Sequence, residues 1–413
     1  MSTNTNEGEV RQTAADRPTR SRISAWLLSH LSRETSSGRF IPEMDGLRFV
    51  AIGMVFLFHL NGFLTAKSAA HYPAPPSGWL VQSALVGFRG VELFFVISGF
   101  ILGLPFAAHY LKGRPRVPLS KYYLRRLSRL EPPYFGAVIA LFLLALWVKG
   151  ESAVLLLPHL AASLSYLHNV IYAAPSSVIG VAWSLEIEVQ FYLLVPLLTL
   201  LFAVRNTWVR RGAMLGLIGV ALALQSLFLH ASPRAALSIL GYVQFFLVGF
   251  LLVDIFLASW NESPRRDICW DIAALAGWPA LFVALQYRQL THWAFPLLVL
   301  LLYVAAFRGR LMNWFLSNPW ITAIGGMCYS IYLLHYEVIS AVGRFTRRVS
   351  EGLPYWMHLS IQIVLVGAGV LVVCGLYFVL LEKPCMRRDW PQRLRARVTA
   401  GLSPARRGVQ ALD

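Results

Sequence analysis

The chain has 413 residues, 57% of them hydrophobic and 14% charged. Soluble domains run at about 45–50% apolar and about 25% charged, so a soluble two-domain enzyme does not fit. A net charge of +17 would point to nucleic acid in a soluble protein. In a membrane protein the same excess marks cytoplasmic loops, and no nucleic-acid partner is expected.

The chain opens on a polar stretch of mixed charge, 1–22. The apolar piece 23–31 is short and broken by Ser29 and His30, unlike a cleavable signal peptide. Its Ile23, Trp26, Leu27 and Leu31 fall at helical spacing, so it either lies along the inner membrane surface or leads in without structure. Residues 1–40 are therefore read as a cytoplasmic N-terminal segment. A helix needs about 20 apolar residues to cross a bilayer. Ten such stretches are expected, at 47–66, 86–108, 132–149, 187–204, 212–230, 236–258, 268–286, 293–307, 319–342 and 357–381. They place a ten-helix membrane domain over 41–384 and a basic cytoplasmic tail over 385–413. The fold class expected is all-α, a polytopic integral membrane protein with both termini cytoplasmic.

Segment 154–174 is apolar but carries Pro158, His159, Ser163, Ser165, His168 and Asn169. Basic residues decide its place. With ten spans, 28 of the 37 Lys and Arg fall in cytoplasmic pieces, and 150–186 has none. An eleventh crossing would send the basic tail outside, against the positive-inside rule, so 154–174 is read as an outer-face or re-entrant segment. The four cysteines, Cys269, Cys328, Cys374 and Cys385, form no CxxC pair and no zinc or disulfide framework. They are read as small core residues, and no metal is expected.

Ionisable residues inside spanning helices mark polar cavities. Arg48 and His59 are eleven residues apart on the first span, which puts them about 20° apart on one helix face and about 16 Å apart along it. Asp45 lies one turn before Arg48 and can pair with it. Neutral His is a competent general base near pH 7, and Arg grips phosphate through forked hydrogen bonds. Arg126 and Arg129, just before the third span, share a face and make a candidate phosphate clamp; topogenic charge or a lipid-headgroup contact is the plainer reading of that cluster. Glu186, Glu188 and Gln190 stand at the outer mouth of the fourth span, Glu92 at the outer end of the second with Ser98 deeper, and His335 in the outer half of the ninth with Glu337 beyond it. That polarity suits a phosphate-bearing donor from the cytoplasm and chemistry deeper in the membrane.

Six motifs stand in order along the chain. They are DGLR with Arg48 and His59, GVELFFVISGF over 90–100, and RRLSRLEPPY with Arg126 and Arg129. WSLEIEVQFY follows with Trp183, Ser184, Glu188 and Tyr192, then CYSIYLLH with Tyr329, Ser330, Tyr332 and His335, and EKP with Glu382 and Pro384. In this order they resemble the membrane acyltransferase-3 family of bacterial O-acyltransferases. The chain departs from the family pattern at Cys328 (commonly Ser), Tyr336 (commonly Pro) and Glu186 (commonly small). Some relatives carry a fused extracytoplasmic hydrolase-like domain, which the short tail is expected to lack.

The resemblance implies an acyl-CoA co-substrate, usually acetyl-CoA, and an acceptor hydroxyl on a cell-surface glycan or lipid-linked sugar at the bacterial inner membrane. On that reading Arg126 and Arg129, with Arg48, hold the phosphates of coenzyme A, and His59 is the general base. Glu188 is the first candidate to orient the imidazole and Glu92 the second. Asp45, Ser98, Trp183, Ser184, Tyr192 and His335 complete the expected polar core. An acyl-enzyme on His59 or Ser98 stays open. Rival readings are a secondary transporter of a small anionic solute, a silent scaffold for glycan assembly, and an acyltransferase for a small metabolite such as a macrolide. The transporter reading lacks a visible internal repeat. The outer loop 71–79, HYPAPPSGW, offers aromatic and proline surface for a sugar.

Overall fold

The computed structural model describes residues 22–34, 40–72, 77–228, 232–284, 288–387, 390 and 392. The first 21 residues, 73–76 of the outer loop and nearly all of the basic tail lie outside the described residues. Every regular element among the described residues is helical. In order they are α1 (Arg22–Leu31), α2 (Pro42–Lys67), α3 (Trp79–Leu85), α4 (Gly90–Lys112), α5 (Leu119–Trp147) and α6 (Ala153–Leu164). Then follow α7 (His168–Tyr172), α8 (Trp183–Leu198), α9 (Thr207–Phe228), α10 (Pro233–Ala236), α11 (Val243–Asp254) and α12 (Ile268–Ala284). The chain continues through α13 (Arg288–Arg308), α14 (Arg310–Leu316), α15 (Pro319–Gly326), α16 (Cys328–Thr346), α17 (Tyr355–Tyr377) and α18 (Lys383–Cys385).

The piece read as either interfacial or unstructured is a helix, α1, packed on α15 with Ile23 and Trp26 exposed. Six of the expected spans are helices long and apolar enough to cross a bilayer alone: Pro42–Lys67, Trp79–Lys112, Leu119–Trp147, Gly180–Ala203, Thr207–Leu227 and Tyr355–Cys385. The chain is a multi-pass membrane protein. The other four expected segments are also helical but shorter or broken. Helices α13 and α14 meet at an 87° bend, and α15 and α16 are separated at Met327. Segment 154–174 contains only α6, 12 residues long, and α7. At about 1.5 Å per residue α6 reaches about 18 Å, too little to cross a core about 30 Å thick.

The centre of the bundle is α4 against α11. Every residue from Gln244 to Asp254 is buried, as expected for a helix apolar on all sides. Small residues let the two backbones touch. A Cβ on Gly99 would come within 2.3 Å of the Phe246 carbonyl oxygen, and one on Gly249 within 2.3 Å of that of Val96. Arg210 on α9 is 1% exposed and is bound to Asp254. Arg211 donates to the other oxygen of Asp254 at 2.6 Å. This buried triad ties α9 to the central helix.

Candidate active site

Helix α2 starts after the extended residue Ile41, with Pro42 in its first turn, where a missing N–H costs no intrahelical bond. One turn on, the fully buried Asp45 is shared by two guanidiniums. Arg48 donates to it at 2.6 Å and Arg33, from the stretch after α1, at 2.8 Å. Burial and the neighbouring Arg48 bring the Arg33 guanidinium down to about 10, so it stays charged at neutral pH. Helix α15 presses directly on this turn: a Cβ on Gly325 would lie 1.8 Å from the Asp45 carbonyl oxygen.

Arg48 lines a cavity of about 120 Å³ together with Ser98, Arg126, Arg129, Ser184, Glu188 and Tyr192. Seven of the twelve expected site residues, from α2, α4, α5 and α8, therefore meet in one place. The Nε atoms of Arg126 and Arg129 are buried and have no hydrogen-bond partner among the described residues. Beyond them, Pro132 and Pro133 sit inside α5 and remove two helical N–H donors. The hydroxyl of Tyr329 donates to Leu130 O at 3.1 Å and that of Tyr377 to Pro133 O, holding this broken turn. Glu188 accepts from Ser98 at 2.5 Å and also bonds Tyr192. Glu382, on the same cavity, accepts from the backbone and hydroxyl of Ser330 at 3.0 and 2.5 Å.

His59 and His335 do not line this cavity. His335 is fully buried, and its Nδ1 lies 3.0 Å from Ile331 O and 2.9 Å from Tyr332 O. A carbonyl only accepts, so this Nδ1 carries the hydrogen, and in the neutral ring Nε2 is the acceptor. The atom facing it at 3.0 Å is Nδ1 of His59, also 3.0 Å from Val55 O. That nitrogen must therefore be N–H, which leaves the lone pair of neutral His59 on Nε2. Tyr332 joins this pair to the cavity: its ring centre is 6.0 Å from that of His335, and its hydroxyl contacts Ser184 at 2.6 Å.

The partner of His59 is thus an imidazole, not a carboxylate. Glu188 is turned to Ser98 and Tyr192. Glu92 is turned to Arg89, which donates to it at 2.5 Å. Neither carboxylate is hydrogen-bonded to His59 among the described residues. Trp183 lies away from the cavity, its ring 5.6 Å from that of Tyr242. Glu186, read at the helix mouth, caps α7 by accepting from the backbone of His168 and Asn169 at 3.2 and 2.8 Å.

Residues 41–379 match the family model described as an acyltransferase domain. The chain belongs to the acyltransferase-3 family. O-acetyltransferase OatA of Staphylococcus aureus strain NCTC 8325 is 26% identical over 380 residues, which cover 86% of this chain and 58% of that protein. A putative O-acetyltransferase of S. aureus strain COL is 25% identical over 356 residues, covering 79% of this chain and 55% of its own length. The chain thus spans little more than half the length of these relatives. No solved structure matches.

Around this site, sequence reasoning left out Arg33 and gave Tyr332 and Glu382 no role. Arg33 stands outside every apolar span, with nothing local to link it to Asp45. Glu382 could have been found as a lone carboxylate at the end of the most apolar span, where an unpaired charge is costly.

Proposed function

We propose that this protein is an integral-membrane O-acyltransferase that moves an acyl group, most simply acetyl, from acyl-CoA to a hydroxyl of a cell-surface glycan or lipid-linked sugar. It resides in the bacterial cytoplasmic membrane with ten crossings and both termini in the cytoplasm. The observation that carries this reading is a pair of guanidiniums, Arg126 and Arg129, with buried unpartnered Nε atoms on a cavity. Tyr332, on the same cavity, abuts the His59–His335 pair. An orphan buried donor costs about 1–3 kcal/mol, and a charged one more, so the cavity is built for an anion. The phosphates of coenzyme A supply that charge, with Arg48 as a third contact already oriented by Asp45. The excess of Lys and Arg on the pieces read as cytoplasmic supports entry from that side.

The acyl thioester reaches past Tyr332 toward His59. Nε2 of His59 takes the acceptor hydroxyl proton as the oxygen attacks the thioester carbonyl. The carbon–sulfur bond breaks, the coenzyme leaves as thiolate, and the proton on His59 returns to it. General-base help of this kind contributes about 10²–10⁴-fold. His335 acts as a positioning residue by holding Nδ1 of His59 as the donor. The test is transfer of labelled acetyl from acetyl-CoA to membrane glycans. His59→Ala is expected to lower it by at least about 10²-fold; wild-type transfer in that variant removes the base assignment.

A further inference from the structure

The acyl-transfer chemistry leaves one buried ion pair unused. Arg89 and Glu92 stand at the start of α4 and meet through a single bond, Nη1 to Oε1 at 2.5 Å. The Glu92 side chain is 7% exposed, yet among the described residues its second oxygen has no partner, and neither has the Nε of Arg89. One ion pair therefore holds one orphan acceptor and one orphan donor, each costing about 1–3 kcal/mol if left so. Native structures leave few such groups unexplained.

Aromatic rings surround the pair. The Arg89 guanidinium lies 4.9 Å from the ring of Phe88 and 5.3 Å from that of Phe295. Tyr242 is within electrostatic reach of both charges, and its ring centre lies 5.6 Å from that of Trp183 with the two planes tilted by 47°. Phe88 is 46% exposed. It touches Phe58 at 5.8 Å, and Phe58 in turn touches the catalytic-base candidate His59 at 5.1 Å. The pair is neutral as a unit, so it favours neither anion nor cation. An orphan donor beside an orphan acceptor fits adjacent hydroxyls, each of which both gives and takes a hydrogen bond. Partly exposed rings fit the C–H faces of a sugar.

We propose that Arg89, Glu92 and the rings of Phe88, Trp183 and Tyr242 form a sugar subsite that holds the acceptor beside His59. This rests on the acyl-transfer reading for its role, but sugar binding itself can be measured without any transfer. The full-length protein in nanodiscs is titrated with methyl glycosides of glucose, galactose, rhamnose and N-acetylglucosamine, and saturation-transfer NMR reads the binding. The wild type is expected to bind at least one of them. Glu92→Gln should weaken that binding by about ten- to a hundred-fold, as expected for a hydrogen bond to a charged group. Phe88→Ala, a surface change that leaves the buried ion pair intact, should weaken it by about three- to ten-fold. In turnover, Glu92→Gln should raise the KM for the glycoside and leave that for acyl-CoA in place. Absence of glycoside binding to the wild type, or equal binding in both variants, overturns the subsite. Glycoside binding lost in Glu92→Gln, without acyl transfer in the wild type, upholds the subsite and removes the acyl-transfer reading instead.

Discussion

His59 is useful as a base only if its lone pair is on Nε2, and two neighbours of its Nδ1, the Val55 carbonyl and Nε2 of His335, hold it there. The chain of donors runs from His335 Nδ1 to the Ile331 and Tyr332 carbonyls, and from His59 Nδ1 to His335 Nε2. Leu at 335 removes one of these two acceptors and leaves the Val55 carbonyl, whereas Gln keeps a carbonyl oxygen in place of the imidazole. His335→Leu is expected to lower kcat by about 10–100-fold with both KM values little changed, and His335→Gln to restore part of it. Steady-state kinetics of the two variants check this, and equal losses in both would reduce His335 to a packing residue. The positions of Arg48 and His59 were legible from their eleven-residue spacing alone. His335 was legible as a buried histidine, but its pairing with His59 spans 276 residues and leaves no trace in local periodicity. A carboxylate partner was expected by analogy with other base–orienter pairs; the group hydrogen-bonded to His59 is instead a second imidazole, brought there by α16 packing on α2.

At the scale of elements, the approach of α15 to α2 fixes where Asp45 and its two arginines sit. Gly325 permits it, since any Cβ there would lie 1.8 Å from backbone oxygen. Gly325→Ala is expected to destabilise by about 1–3 kcal/mol, the usual cost of overpacking, and to weaken donor binding by moving Arg48. Thermal unfolding and donor KM measured on the same preparation test both effects; an unchanged KM would detach α15 from the site. The six long spans were legible because lipid-facing helices must meet a fixed length. The remaining four were legible as apolar helices but not in their bounds. Helix α11 is enclosed by protein and need not span on its own, and the breaks at Gly309 and Met327 answer to packing rather than to hydropathy. That 154–174 holds no helix long enough to cross alone was legible from its Pro and His content.

For the whole molecule, the proposed topology assigns most of the charge to orienting helices, while Arg48, Arg126 and Arg129 line the cavity. With both termini cytoplasmic, single cysteines placed at 15 and 400 in an otherwise cysteine-free chain should resist a membrane-impermeant thiol reagent in intact cells. A cysteine placed at 175 should react; the opposite pattern would invert the topology and with it the side from which the donor enters. In the proposed mechanism Arg126 and Arg129 bind the donor and His59 takes the proton, so their variants should fail differently. The most direct measurement is a comparison of acyl-CoA kinetics in two variants. Arg126→Ala with Arg129→Ala should raise the acyl-CoA KM by about 10²-fold or more with kcat nearly kept, while His59→Ala should lose kcat with the donor KM in place. An unchanged donor KM in the double-arginine variant would contradict the proposed mechanism.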